Sequence, residues 1–419
     1  MSIWGGQALS LVGSRLVQFA LVWWLTKTTD SATALALAGM MAYVPGVLLG
    51  PFAGALVDRW NRRRVMIFAD ASIASATALL AVLFATGRAY VPLVYGVLFV
   101  RAVGGAFHWP SMQAATTLMV PKVHLTRIAG LNQALHGLAM VLSPPLGAVL
   151  LEWLSVQGVL AIDVVSAAIA VTPLLFIRIP EALDSEPTPR GSSVLTELRD
   201  GLGFVARWRG VVLLIGALAV MNFVVNPAFV LLPLYVVRVL GGGAMHLGSV
   251  QGAFGVGFVL GGVLLAAWGG VRRRIVTALI AIALMGVGIV GMGIAPRGWL
   301  YFVGGALFLV GLMEPIATGC IVSALQASVP ERMQGRVFAL LGSATQVVVP
   351  LGLALSGPLS DRYGVQLWFV IGGVVYLFVG LGSFLSRSIL RIEADGEKIR
   401  QEAREDAAPD STTSGQVQL

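Results

Sequence analysis

Residues 54–66 read GALVDRWNRRRVM. One aspartate, a Trp-Asn pair and four arginines sit between two stretches that are almost free of charge. Residues 32–57 contain no Asp, Glu, Lys or Arg, and residues 65–87 contain only Asp70. A soluble domain carries about 25% charged residues; the whole chain of 419 residues carries 11%, is 57% hydrophobic and contains 51 glycines. Helical runs of about 20 apolar residues cross a bilayer, and only helices or closed barrels satisfy their backbone there. The runs are continuous and lack the in-out alternation of barrel strands, about ten residues each. The quoted stretch is therefore a connection between two spans of an all-α integral membrane protein.

Cutting the chain at its charged, Gly/Pro-rich breaks gives twelve spans: 3–26, 32–57, 65–87, 91–117, 128–151, 158–177, 211–236, 247–268, 274–295, 299–325, 336–357 and 365–386. Connections after even-numbered spans, with the C-terminal tail, hold 21 of the 28 Lys and Arg; the other connections hold five. Positive residues mark the cytoplasmic side. Both termini and the quoted loop are thus expected in the cytoplasm, with the chain multi-pass in the inner (cytoplasmic) membrane. The first run has no basic segment before it and is followed at once by another span, unlike a signal peptide.

The longest internal hydrophilic stretch, 178–210, divides the spans six and six. It is expected to be a cytoplasmic linker, with a surface helix in VLTELRDGLGFVARW (194–208), where Leu195, Leu198, Leu202 and Val205 recur at helical spacing. The parts on either side are related. VPKVHLTR (120–127) recurs as VPERMQGR (329–336), Pro-Leu-Gly follows in both, and basic triplets stand at 62–64 and 272–274. This predicts bundles at 1–177 and 211–386, a disordered tail at 387–419, and a site near the midplane between the halves.

These motifs carry a family resemblance. Gly54, Asp58, Arg59, Arg62, Arg63 and Arg64 resemble the loop motif between helices 2 and 3 of the major facilitator superfamily. Arg101 with Gly104 and Gly105 resembles its span 4 motif, and SPPLG, with Pro144, Pro145 and Gly147, its exporter motif in helix 5. More narrowly, WGGQALSLVGS, RAVGGAFHWPS and AIDVVSAAIA look like the macrolide-efflux branch, which is similar to the enterobactin exporters. The resemblance implies the major facilitator fold, two pseudo-symmetric six-helix bundles, and export of amphipathic drugs by alternating access in exchange for protons. It also implies that Asp58 latches the inward gate against the start of span 11 near Arg336, and that Arg101 takes part in coupling. Two departures stand out: the second half has Trp268 where Asp58 stands, and the apolar run begins at Ile3, where branch members carry a hydrophilic segment.

Ionisable side chains within spans are costly unless paired or wetted. Glu314, mid-span in GLMEPIATG, is the expected proton carrier and contact for a cationic amine, since desolvation favours the neutral carboxyl; the alternative is a hydrogen-bonded structural glutamate. Arg101 and Asp163 lie at equal depth in spans 4 and 6 and are expected to pair, whether for structure or for coupling. Gln7, Ser10, Ser14 and Gln18 fall on one helical face beside Arg15, facing either the cavity or neighbouring helices. Arg15 is placed within reach of the acid in span 10. His136 and His108 read as packing residues before protonation sites. Asn222 and Asn226, an i, i+4 pair, are expected cavity hydrogen-bonders, and Asp70 and Glu152 interfacial.

The chain contains no G-x-x-x-x-G-K-[ST] loop, His124 and His246 lack neighbours at metal spacing, and no nucleophile-base-acid set is apparent. The expectation is a non-enzymatic carrier with no cofactor, no metal and no nucleic-acid partner. It would be monomeric, powered by the proton gradient, and in contact with a small amphipathic molecule, protons and membrane lipids. Cys320 is the single cysteine, so no intramolecular disulfide forms. Two other readings stay open: export of an anionic metabolite such as a catecholate siderophore, anchored by Arg15 and Arg101, and a lipid flippase or non-transporting membrane sensor.

Overall fold

The computed structural model describes residues 2–177, 202–203, 205–206, 208–270 and 273–405. Among them no strand occurs, and 12 helices are long and apolar enough to cross a membrane. These are α1 (Ser2–Thr29), α2 (Ala32–Arg59), α3 (Arg62–Ala85), α4 (Val91–Met119), α5 (Leu125–Trp153), α6 (Val156–Phe176), α7 (Arg209–Val230), α8 (Ala244–Trp268), α9 (Arg274–Ile294), α10 (Leu300–Ser328), α11 (Glu331–Tyr363) and α12 (Val365–Gly382). The linker expected at 178–210, with its surface helix, falls almost entirely outside the described residues, as do Arg272 and the tail beyond 405.

Three expectations are corrected. Span 7 is not one helix: α7 stops at Val230 and the chain restarts as Leu232–Arg238 with Pro233 in the first turn, where the missing N–H suits a helix start. Helix α11 runs several residues past both ends of the expected span. The tail expected to be disordered from 387 is helical over Arg387–Leu390 and Ile392–Glu405. Ile389 and Ile392 are buried there, and Glu393 accepts the Arg274 backbone N–H at 3.3 Å. Two apolar anchors and one cap at the start of α9 hold this segment against the bundle.

The stretch 54–66 shows how one helix ends and the next begins. Trp60 is extended and closes α2, while the Asn61 side chain accepts the Arg64 N–H at 3.1 Å as the N-cap of α3. Arg63 donates to the carbonyls of Leu174 and Leu175, groups the end of α6 leaves without helical partners. At the far end of α11, Gly364 takes φ +90°, which only glycine adopts at little cost, and α12 starts at the next residue.

Helix α1 packs on α5 and α6, α3 on α4 and α6, and α2 on α4. In the second set α8 and α9 pack on α10, and α12 on α7 and α9. The two six-helix bundles meet chiefly along α2 with α11 and α5 with α8, pairs that a six-helix repeat interchanges. Call the side bearing the α2–α3 loop and the start of α1 the basic face. The halves touch away from it. A methyl group placed on Gly255 of α8 would lie 2.7 Å from the Val141 Cα of α5, on Gly252 2.9 Å from the Pro145 Cγ, and on Gly357 of α11 2.8 Å from the Thr33 Cα of α2. Towards the basic face, the same addition at Gly46, Gly50 or Gly54 of α2, or at Gly335 or Gly342 of α11, meets nothing within 4 Å. The cleft between the bundles is open to the basic face and shut at the opposite face.

Gly255→Leu should wedge α5 from α8, because the opposing atom is backbone and cannot turn aside; overpacking of this kind costs about 1–3 kcal/mol. Spin labels at Leu154 and Met245, both exposed at the shut face, should move apart in pulsed-EPR distance distributions of the variant. Unchanged distributions would mean that this contact does not hold the face shut.

Candidate functional site

The shut face is fastened by one carboxylate. Asp361, near the end of α11, accepts the backbone N–H groups of Ala32 at 2.7 Å and Thr33 at 2.9 Å, and the Ser31 hydroxyl at 2.9 Å. These belong to the first turn of α2, where unpaired N–H groups and the helix dipole favour an anion. Arg238 adds a second tie between the halves: it bonds the Asp30 carboxylate at 3.0 Å and lies 3.9 Å from Asp361. Sequence reasoning missed Asp361, although a signal was present. GPLSDR (357–362) repeats the spacing of GALVDR (54–59), so α2 and α11 both end in Gly-x-x-x-Asp-Arg.

Beneath this closure lie three adjoining pockets. The first, about 380 Å³, is lined by Arg15, Gln18, Tyr43, Asn226, Gln251 and apolar residues of α5, α7 and α8. The second, about 460 Å³ and nearer the basic face, shares Arg15 and Gln18 and adds Gln7, Ser10, Ser14, Asp70, Arg101, His108 and His136. The third, about 380 Å³, lies within the second bundle around Glu314, with Asn222, Thr318 and Tyr376; it shares Met140, Asn226, Phe229 and Phe254 with the first. Each is the size of a ligand pocket. Together they run from one bundle to the other.

The expected Arg101–Asp163 pair is formed. Arg101 donates to an Asp163 oxygen at 2.6 Å, with side chains 10% and 1% exposed. The same guanidinium bonds Thr77 at 2.7 Å and the Ser14 carbonyl at 3.2 Å, while the Ser14 hydroxyl donates to Asp163 at 3.1 Å. The pair thereby ties α1, α3, α4 and α6 into one unit. The polar face of α1 serves both expected ends: Ser14 bonds between helices, and Arg15 and Gln18 line the cavity. Gln7 and Ser14 do both, since each lines the second pocket and Gln7 also donates to Asp70 at 3.0 Å. Asp70 was expected at the interface; it is 6% exposed and lies 3.3 Å from the His108 Nε2, turned inward because α1 and α4 offer it partners.

Arg15 does not reach Glu314. They line different pockets, since Glu314 faces α7, α9 and α12 of its own bundle. Asn226 donates to the Asn222 side chain at 2.9 Å and accepts the Tyr43 hydroxyl at 3.3 Å, a direct bond between the halves. The His136 ring sits edge-on to Trp109 at 5.0 Å. Pro144 and Pro145 face Gly248 and Gly252 of α8, and Gly147 faces the Phe19 ring. Of the loop motif, Gly54 faces open space, Arg63 closes α6, and the side chains of Asp58 and Arg59 lie outside the described residues. Among the described residues no cluster of three or more His, Cys, Asp or Glu suits a metal.

Residues 3–353 match the Major Facilitator Superfamily. The chain is 32% identical over 382 residues to macrolide efflux protein A of Streptococcus pyogenes, covering 91% of this chain and 94% of that protein. It is 31% identical to macrolide efflux protein A of Enterococcus faecalis, covering 75% and 97%. A crystal structure of the nucleoside transporter NupG superimposes with a TM-score of 0.69 at 10% identity, covering 90% of this chain and 99% of that one, a likeness of fold.

Two substitutions probe these contacts. Asp361→Asn should weaken the closure by about 1 kcal/mol, roughly fivefold in the open-to-shut ratio, and speed amide hydrogen exchange in the first turn of α2. Asp163→Asn should cost about 3–5 kcal/mol by leaving a buried guanidinium unpaired, whereas Arg101→Met with Asp163→Leu should recover much of the thermal stability. Thermal melts of detergent-solubilised protein compare the three.

Proposed function

The chain belongs to the Major Facilitator Superfamily, and from this we propose that it exports amphipathic, macrolide-like drugs across the cytoplasmic membrane by alternating access in exchange for protons. One observation carries the reading: a largely apolar cavity between two bundles, shut on one face by contacts made between those bundles and open to the other. The names of its macrolide-efflux relatives point the same way. With Lys and Arg concentrated on the basic face, that face is cytoplasmic and the structure is inward-open. A drug enters from the cytoplasm or inner leaflet. Its apolar body meets Phe229, Phe254 and Met140, and its amine approaches Glu314.

In this reading Glu314 exchanges its roles. As a carboxylate it holds the cation; once protonated from outside it releases it. One proton entering for each monovalent cation leaving moves no net charge, so the pH difference drives the exchange, and each pH unit supplies about 1.4 kcal/mol, a tenfold gradient of drug. A second reading, export of an anion, has one observation in its favour: Arg15 faces the cavity and its buried Nε has no hydrogen-bond partner. Arg101, the other cation considered for that role, is neutralised by Asp163.

Efflux-deficient bacteria expressing the chain should accumulate less of a macrolide and of a cationic dye, and an uncoupler should abolish the difference. Glu314→Gln should lose the uncoupler-sensitive export, whereas Arg15→Ala should retain it. Export by Glu314→Gln that still follows the proton gradient would remove Glu314 from the mechanism. Loss of export with Arg15→Ala but not with Glu314→Gln would favour the anionic substrate.

A further inference from the structure

The cavity holds a second acid that neither the expected motifs nor the pairing of Arg101 accounts for. Asp70 lies eight residues into α3, about 12 Å from its basic-face end at 1.5 Å per residue. One of its oxygens accepts Gln7 Nε2 at 3.0 Å. The other faces His108 Nε2 at 3.3 Å, with side chains 7% and 19% exposed. That nitrogen is buried and has no partner in hydrogen-bonding geometry. Without a proton between them, a nitrogen lone pair and an oxygen lone pair confront each other. With one, the imidazole donates to the carboxylate, and a further proton on Nδ1 makes the pair an imidazolium and a carboxylate in contact.

We propose that Asp70 and His108 form a proton-binding site on the cytoplasmic side of the cavity, through which the coupling proton leaves the protein in the inward-open state. This rests on the antiport reading above and names a residue pair for its inner half-step. The balance is simple. Imidazolium with carboxylate is neutral; the His108 N–H passes its proton to cavity water, and neutral imidazole with carboxylate is left at one negative charge. The reverse step reloads it.

The surrounding charges fit this role. Arg15 of α1 faces the same pocket, as does His136 of α5. Arg101 of α4 also lines it but is held by Asp163 of α6 at 2.6 Å, so it does not compete for Asp70. Arg63, lower on α3, is held by the α6 carbonyls. Among the described residues lining this pocket, Arg15 is therefore the full cation left to balance the negative charge that proton loss creates. A cationic drug entering the cavity would do so as well, which links drug entry to proton exit.

The chain has 4 histidines, few enough for each imidazole to be followed by nitrogen NMR in nanodiscs, with His108 assigned from H108Q. The His108 ring nitrogens should change protonation state as pH is varied, and D70N should change that response. In proteoliposomes, an imposed pH gradient should drive macrolide accumulation by the wild type. H108Q and D70N should each lose about tenfold of the gradient-driven part; H108Q stands alone if D70N does not fold. A His108 that stays neutral throughout, or undiminished gradient-driven transport in H108Q, would overturn this assignment and leave antiport standing. A wild type indifferent to the pH gradient would overturn antiport itself, and this site with it.

Discussion

A bilayer offers a charge no partner, and the interior of this protein is organised by that constraint. Four ionisable groups inside the first bundle are matched across helices: Arg101 with Asp163 at 2.6 Å and Asp70 with His108 at 3.3 Å. Thr77, Ser14 and Gln7 fill the remaining positions. Each match fixes the rotation of the helices that supply it. The polar face of α1 is the common element, since it reaches Asp70 through Gln7 and Asp163 through Ser14.

What is not matched is then informative. Arg15 and Glu314 project into the cavity from opposite bundles, each in its own pocket. A group paid for in desolvation without a protein partner is available to a ligand or a proton. Facing the cavity, the first bundle presents Arg15, Asp70, His108 and His136, and the second presents Glu314 beside Asn222 and Tyr376. The asymmetry follows from a duplicated scaffold whose two copies have diverged in chemistry.

The closure between the bundles uses weaker and more reversible means. Asp361 on the first turn of α2 is a contact of about 1 kcal/mol, and the glycines of α8 and α11 pack against the helices they face without any charge. That suits a face which must open and shut. Stable cores within bundles and modest contacts between them are what a rigid-body transition requires. The recurrence of Gly-x-x-x-Asp-Arg at the ends of both α2 and α11 places one acid at each face along the same helix pair.

Read without the structure, the chain determined its spans, their number, the duplicated plan and the side on which positive charge gathers. Hydropathy and loop charge belong to contiguous segments, and a bilayer reads them segment by segment. The Arg101–Asp163 pair was also legible, because equal depth in two spans left few other partners. The inward turn of Asp70, the separation of Arg15 from Glu314 and the grip of Asp361 on α2 were decided by the tertiary structure alone. Asp70 and Gln7 are 63 positions apart and Asp361 and Ser31 are 330. Which faces of two such distant helices meet depends on the rotation and tilt that packing imposes, and no local pattern encodes that.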